Sequence, residues 1–500
     1  MTRALLIFPP SAYRNHTPPL NLAYIAAALE ADGCVVKILD LSAVNTPYTP
    51  EQALDEAALF NPDWIGLTLN IIFIKPAYLF IQKLKNLKVP IVAGGPHPSL
   101  MYEEAIENGV DIVVRGEGER TIVELNRALA ENTPLESVPG LVFSDRNGIV
   151  RFTEPRTAIH DLDQLPLPAK HLFPKEWYVE DSKFYQVYGA IFSGRGCPAA
   201  CTYCYKGVFG PGCRFRTAEN VFNEMKHLYH TYGVTAFEFM DDAFSADLNR
   251  VDKLCDLILA EPGFDITWQC TTRLDLTNPS LLEKMKRSGC FRIFYGLESG
   301  DKDTLFRVNK HLDLDQAINV LRWTHELGIR SIVGFMWGFP WDSPSSVRAS
   351  IRFLKKIAPF VDEFNPLGLL IPVPGTRLFD EIKDKYSLDN WWLQDRFGKL
   401  YRDNIYFPYY QRRFYNDFGL LKDGFFPYPP EVKLLIRSGT RLIGRHNLFR
   451  NTPALVAAIT YIAVRLSELL FTIDPRFEYA VFEFLNRFKK LFRPVRKMSD

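Results

Sequence analysis

Eight cysteines in 500 residues are too few for the disulfide framework of a small secreted scaffold. Neither sign of charge dominates. Lys+Arg 59 against Asp+Glu 58 leaves a net +1, so no global electrostatic footprint for nucleic acid is present. Long apolar runs are missing too. The run from Ala4 to Phe8 ends at Pro9-Pro10 and is too short for a signal peptide. Leu455 to Phe471 is interrupted by Arg465 and Glu468, which makes it too short and too charged to cross a bilayer. A cytoplasmic, reducing setting is therefore expected. What is present is a 47% apolar chain, long enough for two or three domains.

Three of the cysteines stand together, in Gly194-Arg195-Gly196-Cys197-Pro198-Ala199-Ala200-Cys201-Thr202-Tyr203-Cys204. Three thiolates on one short loop suit a metal centre. They are one fewer than a [4Fe–4S] cluster usually takes, which leaves one iron open to a small ligand. A zinc knuckle would want a fourth protein ligand, and no Cys or His lies at pair spacing nearby; the plainest alternative is three unrelated core thiols. Cys34, Cys213, Cys255, Cys270 and Cys290 are spread as small core residues would be. The CxxxCxxC spacing, with an aromatic residue before the last Cys, resembles the cluster loop of the radical S-adenosylmethionine (SAM) enzymes. The resemblance implies that the open iron chelates the amino and carboxylate groups of SAM, and that reductive cleavage gives a 5′-deoxyadenosyl radical.

Over residues 1–140, short β-rich apolar runs (Arg3 to Phe8, Val35 to Leu39, Trp64 to Leu69, Val89 to Ala93, Ile112 to Val114) alternate with helical patterns such as Leu20 to Ala31 and Tyr78 to Leu87. Five alternations predict a doubly wound parallel sheet of flavodoxin-like, Rossmann type, with its ligand beyond the carboxyl ends of the strands. The glycine-rich loops fall there: Gly94-Gly95-Pro96-His97-Pro98 and Arg115-Gly116-Glu117-Gly118-Glu119. The layout and these loops resemble the cobalamin-binding domain that precedes many radical SAM domains. The resemblance makes Gly94, Gly95, His97, Gly116 and Glu117 candidate cofactor contacts. The family's DxHxxG cobalt-ligating motif is absent: the equivalent loop reads Ser11-Ala12-Tyr13-Arg14-Asn15-His16. Cobalt ligation by His16 or His97 is therefore not expected.

Residues 141–185 read as a linker. Pro155, Pro166, Pro168 and Pro174 interrupt a stretch with little periodicity. From residue 186 to 390 the alternation resumes with strand patterns at Gln186 to Ser193, Ala236 to Met240, Ile266 to Thr271, Arg292 to Gly296, Ser331 to Met336 and Glu363 to Leu370. Six βα units predict a partial (βα)6 TIM barrel, with chemistry at the strand carboxyl ends. The cysteine loop follows the first of these strands. At the other ends stand Asp241-Asp242, Arg273, Tyr295-Gly296-Leu297-Glu298-Ser299-Gly300 and Gly334-Phe335-Met336-Trp337-Gly338. These resemble the family's SAM-binding positions. The resemblance implies the amino group near Asp241 and Asp242, the carboxylate at Arg273, the ribose at Glu298 and Ser299, and the adenine along Gly334 and Gly338. Helix capping and ordinary ion pairing are the plain alternatives for the two Asp and for Arg273.

Residues 391–500 form an aromatic and basic, mainly helical extension. Tyr401 to Tyr415 is rich in rings and suits plain packing as well as a cap over an apolar substrate. Phe484, Leu485, Phe488, Leu491 and Phe492 share a helical face beside Arg487, Lys489, Lys490 and Arg493, a pattern that suits either a helix docked on the globule or peripheral contact with an anionic membrane.

The resemblance as a whole implies a [4Fe–4S] cluster, SAM and cobalamin used to methylate an unactivated carbon of a small-molecule or lipid substrate. A reductase, flavodoxin or ferredoxin would supply electrons, and no nucleic acid is involved. Oxidation, cyclisation or carbon–carbon coupling on the same scaffold, as in the anaerobic tetrapyrrole cyclases, is the alternative enzyme reading. A non-catalytic corrinoid sensor is the alternative outside enzymes.

Overall fold

The computed structural model describes residues 1–11, 14–145, 147–178, 186–394, 425–451, 453–459 and 461–462. The ring-rich segment Tyr401 to Tyr415 and the basic stretch from Val481 to Lys497 lie outside them.

The first sheet contains β1 (Arg3–Phe8), β2 (Val35–Asp40), β3 (Trp64–Thr68), β4 (Ile91–Gly94), β5 (Ile112–Val114), β6 (Leu141–Ser144) and β7 (Val150–Phe152), in the order β2-β1-β3-β4-β5-β6-β7. Strands β1 to β5 are parallel. Ala4, Leu5, Leu6 and Ile7 are all buried in β1. Such unbroken apolar runs are what a parallel strand needs when helices cover both faces. The helices are α1 (Leu20–Ala31), α2 (Pro50–Phe60), α3 (Ile74–Leu84), α4 (Pro96–Leu100), α5 (Tyr102–Glu107) and α6 (Glu119–Glu131). The chain reverses its direction of travel through the sheet between β1 and β3, and an open α/β sheet forms its ligand crevice at such a switch point.

Two strands of the first sheet had no counterpart in the sequence pattern. Leu141 to Phe152, read there as the start of a connector, folds back as the antiparallel hairpin β6–β7 and pairs Val114 with Leu141. Its turn is held by Asp145, whose carboxylate accepts from the Asn147 and Ile149 amides at 2.8 and 3.0 Å.

The second sheet is fully parallel, with the order β15-β14-β13-β12-β11-β8. Its strands are β8 (Ala190–Ile191), β11 (Ala236–Phe239), β12 (Thr267–Arg273), β13 (Cys290–Glu298), β14 (Arg330–Trp337) and β15 (Glu363–Leu369). Its end strands, β15 and β8, do not pair with each other, so the sheet is an open partial barrel. Between β8 and β11 a separate antiparallel hairpin, β9 (Gly194–Cys197) with β10 (Gly212–Phe215), carries the first cysteine of the cluster motif. The outer helices are α7 (Ala218–Tyr232), α8 (Leu248–Ala260), α9 (Pro279–Arg287), α10 (Lys302–Arg307), α11 (Leu314–Glu326), α12 (Pro344–Ile357) and α13 (Arg377–Tyr386). A side-chain oxygen from Thr217, Asp247, Asn278, Asp301, Asp313, Ser343 or Thr376 starts each of the seven by accepting a first-turn amide. A long helix, α14 (Pro430–Asn451), packs on α12 and β15, where its Asn447 side chain bonds the Phe364 backbone at 2.8 and 2.7 Å.

Candidate functional site

The cysteine motif leaves β9 and crosses the carboxyl end of the partial barrel. Gly196 turns it, with φ 85°, where an added Cβ would strike the Gly212 carbonyl of the partner strand. Three hydrogen bonds to its backbone hold the loop: Thr202 N to Val308 O at 2.9 Å, Leu378 N to Thr202 O at 2.9 Å, and the Asn309 side-chain Nδ2 to Ala200 O at 2.8 Å. The Lys206 ammonium folds back onto the Cys197 carbonyl at 2.9 Å and also donates to Ala199 O. Cys197 and Cys201 are half-buried and Cys204 is exposed, whereas Cys34, Cys255, Cys270 and Cys290 are buried. Cys213 corrects its reading as a core residue: it is half-buried and pairs in register with Gly196, beside Cys197. Although Cys204 as a residue is exposed, its thiol lies among neighbours that shield it, and this desolvation, and then the charges of Cys201, Asp242 and Cys197, push it up to about 11. Crowding that opposes several bare thiolates favours a centre of positive charge among them. Among the described residues no three metal-ligating side chains converge at the spacing of a single ion. The separate irons of a cube hold their thiolates farther apart than one ion does.

The barrel's strand ends surround this loop. Arg273 forms a two-toothed pair with Asp275, at 2.8 and 2.7 Å, and its Nη1 lies 3.8 Å from the Cys201 sulfur. Glu298 is a buried non-glycine residue in the left-handed region, φ 71°, at the end of β13. Its carboxylate takes the buried Lys310 ammonium at 2.9 Å. Gly296 makes room for this pair, since an added Cβ would stand 2.6 Å from Glu298 Oε1 and 3.1 Å from Lys310 Nζ. Non-glycine residues are held in that backbone region chiefly where the surroundings over-determine them, often at functional sites. Burial first, and then the Glu298 carboxylate and the Cys201 thiol, raise the Tyr203 hydroxyl well above its ordinary value.

Asp241 and Asp242 diverge. Asp242 is exposed and faces the thiols. Asp241 turns inward: its carboxylate accepts from the Ser193 amide at 2.7 Å and from the Ser193 hydroxyl, with Arg250 at 3.9 Å. Ser299 also turns inward, to the Ser350 hydroxyl at 3.2 Å. Gly334 is buried within β14, and Gly338 follows it with φ 79° and donates its amide to Asp342 at 2.9 Å. Burial first, against three opposing hydrogen bonds, pushes the Asp342 carboxyl up to about 6.

Beside the cysteine hairpin lies a cavity of about 300 Å³. Leu6, Trp64, Gly66, Gly94, Gly95 and Gly116 form its base and sides at the carboxyl edge of the first sheet, while Arg195, Val208 and Phe209 close it from the cysteine side. Gly95, φ 105°, lines it where an added Cβ would lie 2.8 Å from the Leu69 carbonyl. Glu117 forms part of the wall through an ion network, described below. The His97 ring is not among the lining groups: it is buried, bonds Glu104 at 2.9 Å and stands edge-on to Trp392. The same Glu104 accepts from Tyr78 at 2.9 Å and from the Trp392 indole at 2.8 Å, so His97 works inside a joint between the first sheet and the chain beyond the barrel.

The family description Radical SAM superfamily matches residues 191–354, and B12 binding domain matches residues 11–126. An uncharacterized methyltransferase of Pyrococcus horikoshii is 31% identical over 389 residues, 76% of this chain and 82% of that protein. This chain belongs to the radical SAM superfamily, in the subclass that carries a B12-binding domain. It is an enzyme, and its cofactors are a [4Fe–4S] cluster, SAM and cobalamin. It is also similar to the cytidylyl-2-hydroxyethylphosphonate methyltransferase of Streptomyces wedmorensis, 28% identical over 67% of this chain and 73% of that one. The hopanoid C-3 methylase of Methylococcus capsulatus is 23% identical over 72% of this chain and 67% of that one. The fold is that of the cobalamin-dependent SAM radical enzyme OxsB, with a TM-score of 0.68 at 18% identity over 94% of this chain and 75% of that one.

The residues of this radical SAM enzyme fit those groups. The apolar well over Trp64 and Gly66 is too small for a whole corrin macrocycle but has the size and character for a flat arm such as cobalamin's benzimidazole. At the barrel mouth, the Tyr428 hydroxyl is buried and has no hydrogen-bond partner among the described residues. It stands where a Cβ on Gly338 would lie 3.3 Å from it, so a donor is left over at the glycine-rich end of β14. Buried hydroxyls are otherwise nearly always paired. Lys206, Lys310, Tyr428 and the Ser193–Arg250 support of Asp241 were not found from sequence. Only Lys206, two residues past Cys204, lies close enough to the motif to have been signalled by it.

Proposed function

We propose that this enzyme transfers a methyl group to an unactivated carbon of an apolar substrate of the lipid or polycyclic class. The observation that carries the reading is the opposition of two sites: the glycine-edged cavity of the first sheet shares its wall, Val208 and Phe209, with the loop that follows the three thiols. When bound, the cluster and SAM supply the 5′-deoxyadenosyl radical and cobalamin supplies the methyl group. In this reading Cys197, Cys201 and Cys204 hold the cluster. Asp242, Arg273 and Glu298 orient SAM, with Lys310 keeping the Glu298 carboxylate in place. Asp241 and Ser299 act as positioning groups, since their oxygens are already bonded within the protein.

The apolar substrate class is supported by rings gathered at the barrel mouth. Trp391 packs on Phe425 at 4.8 Å and Tyr386 on Phe426 at 4.8 Å, with the Trp391 indole fixed on the Pro372 carbonyl at 2.9 Å. These rings are buried or, at Tyr386, half-buried against one another, and a substrate site bordered by them would exclude water from a radical and reward an apolar guest. The named substrates of the relatives span a nucleotidyl phosphonate and a hopanoid, so the choice of an apolar one rests on these rings. The test is anaerobic turnover of reconstituted enzyme with cobalamin, reductant, methyl-labelled SAM and a lipid extract. A product heavier by CH₂ that carries the label, formed with 5′-deoxyadenosine, is expected. Loss of two hydrogens, or label confined to water-soluble products, overturns the methylation or the apolar assignment respectively.

A further inference from the structure

We propose that α14 and the helical turns after it form a docking surface for an anionic lipid bilayer. The proposal stands apart from the methyl-transfer reading and involves none of its groups. Helix α14 carries Lys433, Arg437, Arg441, Arg445 and Arg450 against Glu431 alone, five cations to one anion, in a chain whose total net charge is +1. Arg437, Arg441 and Arg445 recur at four-residue spacing, which puts them on one face, and all three are exposed. At the two ends of that stripe Leu434 is 63% exposed and Phe449 40%.

Past α14, residues 454–459 and 461–462 are again helical. There Leu455, Ile459 and Ile462 are 74%, 47% and 59% exposed, spaced as one side of a helix, and the Tyr461 ring lies 6.5 Å from Phe449. Between α14 and the end of α12 runs a groove of about 540 Å³, floored by Leu354, Phe364 and Ile443 and rimmed by Lys355, Arg445 and Arg450. Among the described residues the acids at this face are Asp362, 3.8 Å from Arg450, and Glu431, which pairs with Arg348.

An apolar floor under a cationic rim matches an acyl chain below a phosphate headgroup, and exposed aliphatics beside a basic stripe match insertion at the interface. A second copy of the chain would bring the same positive face against this one, and a nucleic acid would leave the five aliphatic and aromatic groups in water. No helix among the described residues is long and apolar enough to cross a membrane, so the contact is with the bilayer surface.

The test is co-sedimentation of the full-length chain with vesicles of phosphatidylcholine alone or mixed with phosphatidylglycerol, across a salt series. Binding to the anionic vesicles that fades as salt rises is expected, with little to phosphatidylcholine alone. The triple variant Arg437→Glu, Arg441→Glu, Arg445→Glu is expected to partition at least roughly tenfold more weakly. Leu455→Ser, Ile459→Ser, Ile462→Ser is expected to bind more weakly while keeping the salt dependence. Wild-type protein that stays in the supernatant with anionic vesicles overturns the proposal without any variant. So do folded variants of both kinds that sediment as wild type does, and a salt-sensitive dimer formed in place of vesicle binding.

Discussion

The Arg195 guanidinium, two residues before the first cluster cysteine, donates to the Glu117 carboxylate of the first sheet's RGEGE loop at 2.6 Å. Both side chains are buried; Arg214 reaches the same carboxylate at 2.8 Å and Arg195 also pairs with Glu119. The cysteine hairpin and the cavity wall are thus one ionic unit, and the two sites keep their spacing because of it. Burial opposes the Glu117 charge, but the Arg214 and Arg195 guanidinium groups outweigh it and hold the carboxyl below the usual carboxylate range. Glu117→Gln leaves buried cations short of a counter-charge, and a loss of about 3 kcal/mol in unfolding free energy is expected. A carboxyl depressed on folding contributes stability that is present above its unfolded value, about 4.3, and lost as pH falls through the lower folded one. Chemical denaturation between neutral pH and pH 3 should therefore show the wild type losing part of its advantage over the Gln variant.

The thiols divide by role in a way that iron counts can read. Serine at Cys197, Cys201 or Cys204 is expected to abolish cluster assembly, seen as loss of iron, sulfide and the charge-transfer absorbance. Cys213 stands beside Cys197 across the hairpin, so Cys213→Ser is the informative control. Full iron content in that variant confirms a three-thiol site, and loss equal to that of Cys197→Ser makes Cys213 a fourth ligand and removes the open iron.

The alternation of strand and helix could be read from the chain because parallel strands buried on both faces appear as unbroken apolar runs, as β1 and β3 do. The cysteine spacing could be read because its ligands are local in sequence. Hairpin β6–β7 could not: the buried run of β6, Leu141 to Phe143, is only three residues long, and Arg151 and Phe152 of β7 are exposed on an edge, so β7 has no buried pattern to read. The inward turn of Asp241 depends on Ser193 and Arg250, which neighbour it only in the folded barrel. For the same reason Lys310 gives no sign in sequence that it serves Glu298, and Cys213 none that it leaves the core.

Gly296 tests the Glu298–Lys310 pair without touching either charge. Alanine there puts a methyl 2.6 Å from Glu298 Oε1, and the carboxylate, the free end of a side chain, is what yields. Calorimetric titration with S-adenosylhomocysteine is expected to show affinity lowered about tenfold, with a far smaller change in melting temperature. Equal affinity in the variant would remove Glu298 from the nucleoside site.

Tyr428 makes an opposite pair of effects measurable in one substitution. A buried hydroxyl without a partner costs the folded state about 1–3 kcal/mol in desolvation that nothing returns. Tyr428→Phe removes that cost and keeps the ring packed on Phe426, so the protein without ligand should unfold at the same temperature or higher. If the hydroxyl instead meets a bound nucleoside at the end of β14, the same change removes one hydrogen bond there. Affinity for S-adenosylhomocysteine should then fall by about fivefold, the equivalent of about 1 kcal/mol. Stability gained together with affinity lost identifies a ligand contact. Lower stability with unchanged affinity would mean that the hydroxyl serves the fold and not the site.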